Sequence, residues 1–315
     1  MSKPIASTQL KPQGSQQGEK TLLPAFSIDQ IPGAMDKMGW PVSAQLMRRW
    51  FGTMPAYKMP PEIRTGRDKR TGLYVDYRIL PASQIDDQTV KMAWALNFKP
   101  AKEALDQLYA EWCTPEGIGQ LKIRLSRSGW QSGATFRLGY TPSGSSITSA
   151  KELDMVYQMN ARPFGSIADT LDDFFGAIFK GTMKVAVVGT ASHDAKRNCD
   201  VFKVASLGFY IRDTYDFNVD GIDLAGLGIW SKDRVLEKGE TADYRTHYAI
   251  LKSPAAPLPA RIASLLFLQS NYAGFVPVEN DDFRRWQDKK NEGGDFFVFS
   301  DVFWARPNVA EIIIP

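Results

Sequence analysis

From Pro41 to Phe51 apolar side chains return at helical spacing: Ala44, Met47 and Phe51 share one stripe, Leu46 and Trp50 lie beside it, proline opens the run and Gly52 follows it. That pattern predicts a short buried helix. A second helical block follows Pro100, where Ala101, Leu105, Leu108, Tyr109 and Trp112 recur at the same spacing. Thr114-Pro115-Glu116 then supplies an N-cap, a first-turn proline and a favourably placed acid, and Ile118, Leu121 and Leu125 carry the stripe to Ser128-Gly129. These two helices are expected to pack antiparallel. Thr141 to Ser149 is rich in Ser, Thr, Gly and Pro and reads as a loop or internal boundary. Beyond it, Ser166 with Asp169 reads as a capping box for a helix that lines up Ile167, Leu171, Phe174, Phe175 and Ile178. Asp169, Asp172 and Asp173 then read as a solvated face that complements the helix dipole.

After Gly181 the period changes from helical to alternating. Met183, Val185 and Val187 form one strand, and Leu207, Phe209 and Ile211 form another, separated by a polar turn around His193. An antiparallel hairpin is the simplest outcome. Leu73 to Leu80, after the basic turn Arg64 to Arg70, and Phe296 to Trp304, after Gly293-Gly294, are further expected strands. Asp301 shares parity with Phe297, Phe299 and Phe303, so its carboxylate must be satisfied by an arginine or a capping amide, or be placed for function. Helices gathered early and strands late predict an α+β fold, with a helical amino-terminal half and a mainly antiparallel β carboxyl-terminal half. The expected division is a disordered tail at 1–24, a mainly helical region at 25–150 and an α+β region at 151–315, or one continuous domain over the last two.

Composition narrows the function classes. Hydrophobic residues at 43% and charged residues at 23% are those of an ordinary globular chain. A formal net charge of +3, with no lysine or arginine cluster interleaved with aromatics, gives no reason to expect a nucleic-acid partner. The longest apolar runs, such as Ile262 to Leu268, fall well short of the roughly 20 residues a spanning helix needs, so no stable membrane insertion is expected. Met1 to Lys20 contains no apolar signal segment, so the expected location in the producing cell is cytoplasmic. Cys113 and Cys199 read as reduced structural thiols, and with only His193 and His247 available a histidine-rich zinc site is not expected. A metal requirement stays open. No GxGxxG after a strand and no GxxxxGK[ST] is present, so no cofactor-binding residue is assigned.

The densest polar constellation is Arg212-Asp213-Thr214-Tyr215-Asp216-Phe217-Asn218, where a cleanly alternating strand ends. Carboxylates beside a phenol and a guanidinium suit proton abstraction and the offsetting of developing charge, and strand ends hold such groups both rigid and accessible. The structural alternative is a turn in which Asp and Asn bond their own backbone. Trp230 to Arg234 supplies another cation and acid, and Asn280 to Trp286 mixes acids, arginines and aromatics on one expected surface helix.

Taken in order, these pieces resemble an uncharacterised proteobacterial family encoded beside type VI secretion spike and tip genes. The resemblance is carried by Ile31-Pro32-Gly33-Ala34-Met35, Met38-Gly39-Trp40-Pro41, Leu46 to Phe51, Tyr210 to Asn218, Leu227-Gly228-Ile229-Trp230, Asp282 to Trp286 and Gly293 to Phe296. It implies an antibacterial effector loaded from the cytoplasm and injected into target cells, with a spike or tip protein and an immunity protein as partners, or a non-enzymatic adaptor that loads cargo on the spike. Asp213-Thr214-Tyr215-Asp216-Phe217-Asn218 is also similar, position by position, to the Asp-x-Tyr-Asp-x-Asn motif of colicin M-like toxins, which cleave the lipid-linked peptidoglycan precursor. That similarity implies Asp216 as the catalytic acid or base with Asp213 and Tyr215 in support. The toxins continue with His-Arg, whereas this chain continues Val219 to Asp223 with neither, which leaves Arg234 or His247 as the candidates to substitute through folding.

Overall fold

In the computed structural model the described residues are 26–66, 75–218 and 227–314. The expected tail at 1–24, most of the basic turn before residue 71, the first residues of the expected strand at 73–80 and the continuation after Asn218 lie outside them.

The predicted hairpin is the frame of the molecule. Gly181–Asp194 and Cys199–Tyr215 pair antiparallel from Thr182 opposite Arg212 to Asp194 opposite Cys199, with one register shift between Val188 and Gly189, around a turn in which Asn198 adopts φ 50°. In chain order the elements are α1 (Ile31–Lys37), α2 (Pro41–Phe51), β1 (Ile85–Asp86), α3 (Met92–Ala95), α4 (Lys99–Glu111), α5 (Pro115–Arg127), β2 (Phe136–Leu138), α6 (Ala150–Val156), β3 (Gln158–Phe164), α7 (Asp173–Ala177) and the hairpin strands β4 and β5. They continue with β6 (Ile229–Trp230), α8 (Lys238–Lys252), α9 (Leu258–Asn271), β7 (Val276–Pro277), α10 (Asn280–Lys290), β8 (Phe296–Phe299), β9 (Phe303–Ala305) and β10 (Glu311–Ile314). The free edge of β5 takes β8, β9 and β10 in turn, all antiparallel, while β4 takes β3 and β2 on its other edge. β1 adds parallel to β8, and β6 with β7 form a separate ribbon.

Both faces of the large sheet are cores. On one, Val185, Val187, Leu207, Phe209, Ile211 and Val298 pack against Leu46, Trp50, Leu105, Leu108, Leu121 and Leu125 from the helices. On the other, Ala186, Tyr210, Phe297 and Phe299 pack against Met59, Val75, Tyr77 and Leu153. Burying a side chain such as Phe297 or Phe299 contributes about 1.5–3 kcal/mol, which is why this second face is covered instead of wet.

The fold is α+β, with several departures from the expected division. Helices occur late as well as early, since α8, α9 and α10 follow the hairpin and β1 to β3 precede it. Residues 75–80 form bends and turns with no strand, and Phe296 to Trp304 is split by Ser300 to Val302 into β8 and β9. Asp301 lies at that break, where its Oδ1 accepts the Met92 amide at 2.6 Å, so the capping-amide alternative holds. α4 and α5 each pack on β3. Ser166 and Asp169 close only a local turn, in which Asp169 accepts the Ser166 amide at 2.7 Å. The helix that follows is reduced to α7, capped by Asp172, which accepts from the Phe175 amide at 2.9 Å. Asp173 is buried and not solvated, because its carboxylate receives the Val42 and Ser43 amides at 3.2 and 2.8 Å and so caps α2 from outside.

Candidate functional site at the carboxyl end of β5

β5 delivers its last residues to the sheet end with alternating parity. Asp213 and Tyr215 share the parity of Ile211, which faces the helices, and Arg212 shares that of Tyr210 on the opposite face. Tyr215 is accordingly a core residue. Its ring stacks on Phe296 at 5.2 Å and 13°, its hydroxyl reaches Met47 Sδ at 3.5 Å, and burial raises its phenol far above the ordinary value. Asp213 is only partly exposed; burial pushes its carboxyl up to about 7 against the pull of the Thr214 amide and Arg212, and the charge of Asp216 adds to the rise.

Asp216 sits just past the strand. Its Oδ2 lies 2.7 Å from Arg64 Nε and accepts from Asn218 Nδ2 at 2.8 Å. Burial pushes it up to about 6; Arg64 opposes the shift, the charge of Asp295 adds to it, and Arg284 and Arg212 oppose it further. Arg212, itself buried, lies over the Phe297 ring at 5.0 Å and donates to the Arg64 carbonyl, so the two guanidiniums are tied to one segment. Gly66 makes the approach possible: at φ +76° an added Cβ would lie 2.4 Å from the Tyr77 hydroxyl and 3.3 Å from Arg212.

Two buried ionic hubs support this corner. In the first, Asp295 binds Arg284 through two contacts of 3.0 and 2.8 Å and also accepts from Trp50 Nε1 at 3.0 Å and the Met59 amide at 2.9 Å. Arg284 Nε in turn donates to the Phe217 carbonyl at 2.6 Å, which fixes the chain between Asp216 and Asn218. In the second, Asp154 accepts from Lys184 at 2.7 Å, the Tyr210 hydroxyl at 2.9 Å and the Tyr77 hydroxyl at 3.1 Å. Burial drives Lys184 below its ordinary value although Asp154 opposes this.

The predicted residues therefore separate. Asp216 gains a cationic neighbour in Arg64, Asp213 has the helix-facing parity of β5, Tyr215 belongs to the core, and Arg234 is engaged elsewhere. Arg234 binds Glu240 at 2.6 and 2.8 Å and lies over Phe275 at 5.0 Å. His247 lies 3.3 Å from Ser264 Oγ in the α8–α9 hairpin, and His193 pairs with Asp200 across the β4–β5 turn at 3.0 Å, so neither histidine joins Asp216. The cation beside Asp216 is Arg64, and Arg212 is tied to the same segment. Arg284 also departs from the surface-helix expectation, since it and Phe283 are buried. Among the described residues, no three His, Cys, Asp or Glu side chains converge as a metal-ligand set. Two adjoining clefts flank α4, one of about 170 Å³ against residues 168–172 and α7 and one of about 200 Å³ against the end of β3 and residues 165–169; they share Pro100 and Asp169 and are lined by no residue of the β5 end.

The raised carboxyl of Asp213 has a consequence for stability. Its ordinary value is 3.8 and its folded value about 7, so between those pH values the folded chain keeps a proton that the unfolded chain has lost. Stability from this group is therefore present below the lower value and is lost as pH rises through the upper one. Asp213→Asn is expected to match wild type near about pH 4 and to exceed it by about 2 kcal/mol near about pH 8, the full shift being discounted for partial exposure. Urea unfolding at both pH values checks this, and a difference independent of pH would refute it.

Comparison with known proteins places residues 26–313 in a family of unknown function, DUF6402, and the chain belongs to that family. No curated protein and no solved structure matches it.

Proposed function

With membership of a family of unknown function as the premise, we propose that this chain is an antibacterial effector of a type VI secretion system, injected into target cells, that hydrolyses a phosphate ester of a cell-envelope precursor with Asp216 as the proton-transfer group. The reading is carried by one observation: a carboxyl pushed up to about 6 by burial, held between Arg64 and Asn218 with Arg212 behind it. A carboxyl with such a value is mostly ionised at neutral pH yet basic enough to accept a proton from an attacking water. Water adds to phosphorus as its proton passes to Asp216. The bond from phosphorus to the leaving oxygen breaks, and Asp216 returns the proton to that oxygen. Arg64 and Arg212 are cations suited to offset the charge that develops on the phosphoryl oxygens. Asn218 holds the carboxylate in place, and Asp213 keeps its proton to higher pH than an ordinary carboxyl.

The test is expression without the neighbouring immunity gene, directed separately to the cytoplasm and the periplasm. Wild type is expected to arrest growth in at least one compartment, and Asp216→Asn to relieve the arrest while folding to the same extent. With purified protein and lipid-linked precursor, Asp216→Asn is expected to lower turnover by about 10²–10⁴-fold, and wild-type turnover to fall as pH drops below about 6. Growth unaffected by wild type in both compartments, together with specific capture of a spike protein, would favour the adaptor reading over this one.

A further inference from the structure

α8 and α9 form a helical hairpin joined by Ser253 to Pro257. Its inner side closes over Tyr244 and Leu268 against Ile229 and Leu236. The outer side of α9 is uncovered: Leu258, Ile262, Leu265 and Leu266 are 66, 49, 40 and 59% exposed. At about 100° per residue these four fall on one stripe opposite the buried Ser264 and Leu268, and no exposed residue of α9 carries a charge. Charge gathers instead at the hairpin's tip and is of one sign. Between Tyr244 and Val278 the chain has Arg245, Lys252 and Arg261 and no Asp or Glu. Arg261 Nε donates to the Leu251 carbonyl at 3.2 Å, which sets its guanidinium next to the exposed Lys252. The linker between them, Pro254-Ala255-Ala256-Pro257, is small and apolar.

We propose that this hairpin docks on an anionic lipid bilayer, with the outer stripe of α9 at the boundary between headgroups and acyl chains and the Lys252–Arg261 tip against acidic headgroups. An exposed apolar stripe alone fits several occupants. The anion-free cationic tip beside it is the electrostatic complement of an acidic membrane surface. α9, at 14 residues, is long enough to lie in the interface and well short of the roughly 20 needed to cross it. None of the described helices is long and apolar enough to span a membrane, so the contact is peripheral. This surface is separate from the β5 end and does not depend on the hydrolytic reading.

The experiment is sedimentation of the full chain with vesicles of phosphatidylcholine alone and of phosphatidylcholine mixed with phosphatidylglycerol. Binding to the mixed vesicles is expected, with little to the neutral ones. The combined change Ile262→Ser and Leu266→Ser is expected to weaken it by at least about tenfold, and Lys252→Gln by about fivefold. These side chains face solvent, so the variants keep the wild-type circular dichroism and melting temperature. Hydrogen exchange on wild type supplies an independent reading, with slowing at 258–266 when mixed vesicles are added. Asp216→Asn is expected to bind as wild type does. No binding to mixed vesicles, equal binding by the double serine variant, or a dimer in light scattering that the double variant splits would each overturn the proposal, the last by assigning the stripe to a second copy.

Discussion

Asp295→Ala is expected to lower the free energy of unfolding by about 3–5 kcal/mol, because it strips a buried guanidinium of its counter-ion while leaving the guanidinium in place. Asp295 is 1% and Arg284 8% exposed, and the carboxylate receives four donors: two from Arg284, one from Trp50 and one from the Met59 amide. Removing it leaves the cation with only Gln287 and the Phe217 carbonyl, and takes the acceptor from the buried indole and amide hydrogens of Trp50 and Met59. A surface pair such as Lys102 with Asp106, both more than half exposed, sets the contrast, since breaking it should cost less than about 1 kcal/mol. The urea midpoint of Asp295→Ala should therefore move far below that of Asp106→Ala. Adding Arg284→Met to Asp295→Ala should recover a large part of the loss, because no unpaired charge is then buried. If Arg284→Met deepens the loss instead, the cation is not the unpaired group. The same hub holds Phe217, so the single variant should also disturb the setting of Asp216.

The long hairpin was legible in the chain because Met183, Val185 and Val187 in one strand and Leu207, Phe209 and Ile211 in the other alternate on the helix-facing side. The cluster at its end was legible as well, since polar residues replace the alternation from Arg212 onward. Its division between two faces could have been read from parity: Tyr215 is four residues beyond Ile211 and must face the same core. What no local pattern indicates is the source of the cations. Arg64 reaches Asp216 from across the fold, and Arg234, nearer in sequence, is taken by Glu240. The Arg284–Asp295 hub had a weak signal. An acid directly before four apolar strand residues, with an arginine beside Phe283 and Trp286, is costly unless the two meet. Gly293 is part of that meeting, for at φ 93° an added Cβ would lie 2.7 Å from the Trp50 ring. Asp173 escaped detection because a carboxylate that caps a different helix looks, in sequence, like one that decorates its own. The α8–α9 hairpin gave little helical signal because α9 leaves its apolar stripe uncovered, so no buried stripe opposes a charged face.

Asp154→Asn should be nearly as damaging as the loss of Asp295, and its pH dependence should identify Lys184 as the reason. The amine of Lys184 faces one anion, Asp154, and two cations, Arg212 and Arg124, in a site where burial already pulls it below its ordinary value. Asp154 itself is held low despite burial, because Lys184, Arg212 and the Tyr210 hydroxyl together outweigh its desolvation. Neutralising it removes the interaction that keeps the ammonium charged, so the folded-state value of Lys184 falls further while its unfolded value stays near the ordinary 10.5. A lysine depressed on folding destabilises at pH values below its folded value and ceases to do so as pH rises toward its unfolded value. The expected deficit of Asp154→Asn relative to wild type is thus about 3–5 kcal/mol near neutral pH and should shrink as pH approaches about 10. Tyr77 and Tyr210 do not confound this in the folded chain, since burial holds both phenols above their ordinary value of 10.0 and protonated through that range. Chemical unfolding of wild type, Asp154→Asn, Lys184→Met and the double variant at the two pH values closes the cycle. A deficit unchanged by pH, or one that Lys184→Met does nothing to relieve, would mean that Asp154 acts by accepting from the two phenols and not by balancing the buried amine.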